Sequence, residues 1–116
     1  MILPLTEKHK AANLLKIKYA CEIFADRNYD EKGLLIDRKE KNALVKNINT
    51  AINNIKYMIE KSAIRSITGK FLKTDIDTIC IHGDGKNSVS IAKKIKKGLI
   101  DSGINLLPLN QLSKFK

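Results

Sequence analysis

The sequence predicts an α/β fold in which parallel strands are joined by crossover helices, and three observations carry that expectation. Residues 78–81 form an apolar, β-branched run that ends abruptly in His82, Gly83 and Asp84, the pattern of a buried strand opening onto a polar loop. An amphipathic stretch follows, with Ile91, Ala92, Ile95, Leu99 and Ile100 on one side and Lys93, Lys94, Lys96 and Lys97 on the other. Upstream, helix-like and strand-like stretches alternate, with spacers long enough for parallel pairing.

The elements follow in order. Thr6 is placed to cap a helix over residues 7–16, with Glu7 in its first turn and Ala11, Ala12 and Leu15 at helical spacing. Residues 19–25 are rich in strand formers and end in Asp26 and Arg27, after which Asn28, Asp30 and Gly33 supply turn chemistry and residues 34–36 a short extended piece. The clearest helix comes next: Ile48, Ala51, Ile52, Ile55, Met58 and Ile59 share one stripe, with Asn47 or Asn49 as cap. Residues 62–72 mix β-branched side chains with a Thr68-Gly69 turn signal and read as a small hairpin or a loop. After the strand at 76–81, Asn87 or Ser88 starts a helix that Gly103 stops, cations gathering toward its C-terminal half as the helix dipole favours. A last short strand is expected at 104–107, before Pro108 and a weakly patterned tail over 108–116.

The 116 residues make one domain at most. No apolar run reaches the roughly 18 residues of a membrane span, and no charged start leads into an apolar stretch with a cleavage site, so the expectation is a soluble cytoplasmic protein with no membrane partner. Cys21 and Cys80 lie among apolar neighbours and read as free buried thiols. The net charge of +10 invites a nucleic-acid reading, but its make-up argues against one. Lysine outnumbers arginine 19 to 3, and 17 isoleucines and 10 asparagines accompany it, a joint bias typical of AT-rich coding rather than of selected phosphate contacts. Arginine, the preferred bidentate reader of phosphate and base edges, is the scarce cation.

Two positions carry candidate chemistry. His82 and Asp84 are two apart on an extended segment, so their side chains leave one face; they suit an acid/base pair or two ligands of a divalent ion, and Gly83 between them lets a substrate approach the backbone. The plain structural alternative is that His82 bonds a neighbouring loop and Asp84 caps the next helix. Asp26 and Arg27 end the first strand and face the same rim if the strands are parallel. Arg27 suits a carboxylate or phosphate and Asp26 a proton; the alternative is a rim ion pair that fixes the loop through Tyr29 and Gly33. Lys86 after Gly83-Asp84-Gly85 lacks the spacing of a phosphate loop, although backbone donors at the start of the following helix suit an anion. His9, among lysines, is expected to face solvent, and Tyr57 to lie on a helix surface.

Three segments also carry a resemblance. Glu22-Ile-Phe-Ala-Asp-Arg27 with Tyr29, Ser66-Ile-Thr-Gly69 and Thr78-Ile-Cys-Ile-His-Gly-Asp84 stand in the order and spacing of the LamB/YcsF family, and the chain resembles the C-terminal part of that family over residues 11–104. The family's opening Asp-Leu-Asn strand and its early Gly-, His- and Asp-rich loops are not among these residues. The resemblance implies the C-terminal portion of an irregular (β/α) barrel of the glycoside hydrolase/deacetylase type. It implies an ATP-dependent 5-oxoprolinase activity, opening 5-oxoproline to L-glutamate with ATP as cofactor and B and C subunits as partners. On it, Asp26, His82 and Asp84 are the catalytic candidates and Arg27, Gly83 and Arg38 bind substrate, with no metal assigned. Arg38 matches a family arginine, while Asp37, Lys39 and Asn42 replace the family's proline, serine and glycine around it. The rival expectation is a non-catalytic remnant, or one half of a split gene that needs a separate N-terminal half. A barrel cut in this way keeps unpaired strand edges and favours association.

Overall fold

The structure, a computed structural model, describes residues 1–116. Helix α1 (Glu7–Leu14) is capped by Thr6, whose hydroxyl accepts from the His9 N–H at 3.4 Å. Strand β1 (Glu22–Phe24) leads into a loop, and helix α2 (Ile48–Lys61) begins at Asn47, whose side chain accepts from the N–H groups of Asn49 and Thr50. Ser62, in the left-handed conformation at φ +47°, ends α2 and turns the chain directly into strand β2 (Ala63–Arg65). Strands β3 (Phe71–Lys73) and β4 (Thr78–Cys80) follow, then helix α3 (Ser88–Asp101).

The strands form two separate pairs. β1 and β4 are parallel, with Ile23 opposite Ile79, whereas β2 and β3 form an antiparallel hairpin with Ile64 opposite Leu72. The chain's start lies along the outer edge of β1: Ile2 bridges Cys21 in parallel, donating to Ala20 O at 2.8 Å and accepting from the Glu22 N–H at 2.9 Å. The core gathers where α2 and α3 meet the strands, around the fully buried Ile23, Ile55 and Ile64 with Leu99 and Ile95 beside them. The apolar stripe of α2 thus covers both strand pairs. Gly98 makes the helix contact possible, because a Cβ there would stand 2.9 Å from Ile52 Cγ2.

The α/β architecture with a parallel pair and helices is as the sequence indicates, but one expected element is absent. Residues 104–107 form no strand. The Ile104 N–H instead donates back to Leu99 O and the Gly103 N–H to Ile100 O, two bonds that finish α3 around Gly103 at φ +82°. A strand needs a ladder partner, and neither strand pair extends to this segment. The tail expected to be weakly structured contains two single 3-10 turns, Leu109–Gln111 and Ser113–Phe115. Its anchor is Lys114, which donates to Asp77 Oδ2 at 2.8 Å and stands 4.3 Å from the Tyr19 ring centroid. Burial pushes the Lys114 ammonium down, but the Asp77 hydrogen bond and nearby carboxylates outweigh that and leave its pKa raised.

His9 does not face solvent as expected. Its Nδ1 accepts from the Leu5 N–H at 3.1 Å, so Nε2 carries the proton and donates to the Tyr19 hydroxyl at 3.0 Å, which in turn donates to Asn13. Tyr57 does lie on the exposed side of α2.

Tyr29 is the buried polar support of the β1 end, its hydroxyl accepting from the Phe24 N–H at 3.0 Å. Burial pushes this phenol up to about 12 from its ordinary value of 10, against the opposing pull of the Phe24 hydrogen bond and Arg27. Between those values the folded chain holds a proton that the unfolded chain has lost. The stability tied to that proton is therefore complete below pH 10 and disappears as pH rises toward 12, at about 1.4 kcal/mol per pH unit. Urea unfolding between pH 9 and pH 12 should show this slope, and Tyr29→Phe should remove it; an equal slope in the variant would refute the assignment.

Candidate functional site

The site sits at the C-terminal ends of β1 and β4, where a parallel pair releases its chains into loops. In-register pairing of Phe24 with Cys80 brings the next residues of both strands out on one rim. There His82 Nδ1 and Asp26 Oδ2 stand 2.8 Å apart. A carboxylate accepts, so Nδ1 carries the proton, and in the neutral ring Nε2 is the acceptor left for other chemistry. The Phe24 ring lies against the imidazole at 5.5 Å between centroids and limits its tilt. Asp26 Oδ1 is buried and has no hydrogen-bond partner within this chain.

A cavity of about 330 Å³ opens beside this pair. Its polar lining includes Asp26, Arg38, Lys46, His82, Asp84 and Ser88, and its apolar lining Leu44, Ile48, Ile91 and Ile95. Loop residues 28–45 present Arg38 to it, because the loop is stitched to the rim. The Asn28 N–H donates to Ala43 O, the Asn28 side chain to Asn42 O, and the Val45 N–H to Asp26 O. Asp84 makes no hydrogen bond to another protein group and does not cap α3, whose first residue follows Asn87 without a side-chain cap.

Of the residues singled out in the sequence, Asp26, His82, Asp84 and Arg38 meet at one cavity. Arg27 does not join them. Its guanidinium is buried and donates to Ile36 O at 2.6 Å, while its backbone bridges Leu44, so Arg27 holds the loop that carries Arg38. Gly83 lies on the rim with open space where a Cβ would stand, and its carbonyl accepts from the Ser88 hydroxyl. Lys46 and Ser88 are not distinguishable in the sequence, one being a lysine among 19 and the other an ordinary helix-start serine. No three His, Cys, Asp or Glu side chains converge so as to hold a metal ion. What the hydrogen-bonded His82 and Asp26 can do chemically is move a proton at Nε2 while the carboxylate holds the ring. No helix is long and apolar enough to cross a membrane.

Comparison with known proteins adds a lineage to this geometry. The LamB/YcsF family model matches residues 1–114. Among curated relatives, the 5-oxoprolinase A subunit of Clostridium beijerinckii is 37% identical over 107 residues, covering 92% of this chain and 42% of that protein. The corresponding A subunit of Gluconobacter oxydans is 46% identical over 83 residues, 72% of this chain and 33% of that protein. The chain thus spans about two fifths of the length of the curated relatives it matches. Among solved structures, the lactam utilization protein from Thermus thermophilus superposes with a TM-score of 0.77 at 22% identity, over 90% of this chain and 41% of that one.

Proposed function

We propose, since this chain belongs to the LamB/YcsF family, that it forms the C-terminal part of a 5-oxoprolinase A subunit and supplies that enzyme with an acid/base pair and an anion contact. The reaction is the ATP-coupled opening of 5-oxoproline to L-glutamate, carried out with B and C subunits, since a relative named for one lettered subunit implies others. The observation that carries this reading is the 2.8 Å contact between His82 Nδ1 and Asp26 Oδ2 at the mouth of a cavity lined by Arg38 and Asp84.

The chemistry asked of the site is limited. An unactivated lactam resists water, and ATP supplies the activation of its carbonyl. This chain's residues serve the hydrolytic half. His82 Nε2 takes a proton from the attacking water, Asp26 stabilises the imidazolium that results, and Asp84 orients the water. As the ring C–N bond breaks, the imidazolium returns a proton to the leaving nitrogen, which becomes the amine of glutamate. Arg38 and Lys46 pair with the substrate carboxylate and fix its orientation. In the complete subunit, β1 and β4 belong to an irregular (β/α) barrel, whose ligand sites lie at the same ends of the strands.

The test is to supply the chain with a polypeptide covering the rest of the subunit, add B and C subunits, and measure L-glutamate formed from 5-oxoproline. A folded assembly that hydrolyses ATP without releasing glutamate would contradict the reading. In an active assembly, Arg38→Ala should raise KM about 10- to 100-fold with little change in kcat, the loss of one charge-assisted hydrogen bond. A fall in kcat alone would move Arg38 out of the carboxylate contact. The second reading, a non-catalytic remnant, draws on Asp37, Lys39 and Asn42 around Arg38, and it predicts that no assembly restores turnover.

A further inference from the structure

We propose that His9 is a proton-operated latch: with its ring neutral it fixes the backbone of Leu5, and through Leu5 the loop that carries Arg38, and a second proton on the ring releases both. Its bearing on catalysis rests on the reading of Arg38 as the substrate contact; the latch itself does not. The first observation is strain. Leu5 holds φ +63°, in the left-handed region that a leucine seldom occupies. Its N–H donates to His9 Nδ1 at 3.1 Å, and no backbone carbonyl takes it instead. The residues around it are otherwise pinned: Ile2 bridges Cys21, Pro4 is fully buried, and the Thr6 hydroxyl donates to Leu3 O at 2.6 Å. Leu5 is thus the strained link in this segment, and an imidazole holds it.

Imidazole is the side chain whose charge changes between about pH 5 and pH 8. In the imidazolium both nitrogens are donors, so Nδ1–H faces the Leu5 N–H across the same gap and their hydrogen bond is lost. The Nε2 contact with the Tyr19 hydroxyl survives, because a hydroxyl also accepts. Tyr19 and Cys21 flank the ring from the segment after α1. Lys114 lies over the Tyr19 ring, and its charge is met by Asp77 and Asp75. On α1 itself, Glu7 pairs with Lys10, beside Lys8. None of these carboxylates forms an ion pair with His9, so nothing replaces the lost bond. The latch is closed where the ring is neutral and opens as pH falls. What it closes on is the loop: Leu5 Cδ1 lies 2.5 Å from where a Cβ of Gly33 would stand, so the leucine side chain rests on the bare backbone of that glycine at φ +81°. The turn at Gly33 is tied by Asp30, whose side chain accepts from the Lys32 and Leu34 N–H groups. From there the chain returns through Ile36, held by Arg27, directly to Asp37 and Arg38.

The test uses the chain's two histidines, whose ring protons titrate separately in NMR spectra. Between about pH 8 and pH 5 the Leu5 and Gly33 amide resonances should move with the midpoint of His9 and not with that of His82. Over that range, exchange at the Leu5 amide, corrected for its intrinsic rate, should quicken about tenfold, the loss of one hydrogen bond. His9→Asn sets a carbonyl oxygen near the place of Nδ1 and cannot titrate, so both amides should become indifferent to pH. Leu5→Ala keeps the backbone bond and takes the side chain off Gly33; the amide at position 5 should still follow His9, and that of Gly33 should not. In the reconstituted enzyme, the ratio of KM at about pH 6 to KM at about pH 8 should be about threefold larger for the wild type than for His9→Asn, with equal kcat ratios, since His82 contributes alike to both. Amides that ignore the His9 midpoint, or an unchanged pH response in His9→Asn, would overturn the latch. Equal KM ratios in an active assembly would overturn its link to Arg38, whereas an assembly inactive at every pH would contradict the proposed activity, with the amide resonances still deciding the latch.

Discussion

His82→Ala in the reconstituted enzyme should lower turnover by about two to four orders of magnitude, the usual contribution of a positioned acid/base group, while the fold stays intact. His82 and Asp26 keep 32% and 44% of their side chains exposed, so the substitution opens no void in the core. What is lost is the one imidazole at the cavity. Asp26→Asn should cost less. An amide oxygen still accepts from Nδ1–H and keeps the tautomer, but its neutral charge no longer stabilises an imidazolium. The two variants together should lose little more than His82→Ala alone, because residues acting as one unit are not additive. Turnover and urea midpoint measured on the same samples decide the matter. Normal activity per folded molecule with a lowered midpoint would mean that the contact only ties two loops together.

Ile55→Ala should lower unfolding free energy by about 2–5 kcal/mol. Ile55 has no exposed surface and stands on α2 at the centre of the cluster formed by Ile23, Ile64, Ile95 and Leu99. Removing its outer carbons leaves a hole walled by two helices and two strand pairs, none of which can close in without losing its own contacts. For a domain of this size such a loss is a large share of total stability. Ile100→Ala on α3, where the side chain is half exposed, should cost far less. Equal urea midpoints for the two variants would show that the core lies elsewhere.

Much of this is legible in the sequence. The stripe from Ile48 to Ile59, the cap at Asn47 and the stop at Gly103 are local signals, and each agrees with the structure. The rim position of Asp26 and His82 is legible too, because both follow apolar runs directly. What is not legible depends on contacts distant in the chain. Residues 104–107 have the composition of a strand, yet composition cannot show that α3 uses Ile104 to end itself. Arg27 has the chemistry of an anion ligand, yet only the folded loop reveals that Ile36 O takes its guanidinium. His9 sits among lysines that suggest solvent, and its partners Leu5 and Tyr19 reach it only through turns. Arg38 comes from a family resemblance, since nothing local distinguishes it from an exposed arginine.

Asp26 and His82 stand 56 residues apart along the chain. The hairpin β2–β3 and its junction with α2 through Ser62 are local, so they can form early in folding, whereas pairing β1 with β4 must first close a long loop at an entropic cost. Pulse-labelling during refolding should therefore protect hairpin amides before those of Ala25 and Cys80. A chain stalled short of its native topology keeps its carboxylate and its imidazole apart, so the candidate site is assembled only once β1 has found β4.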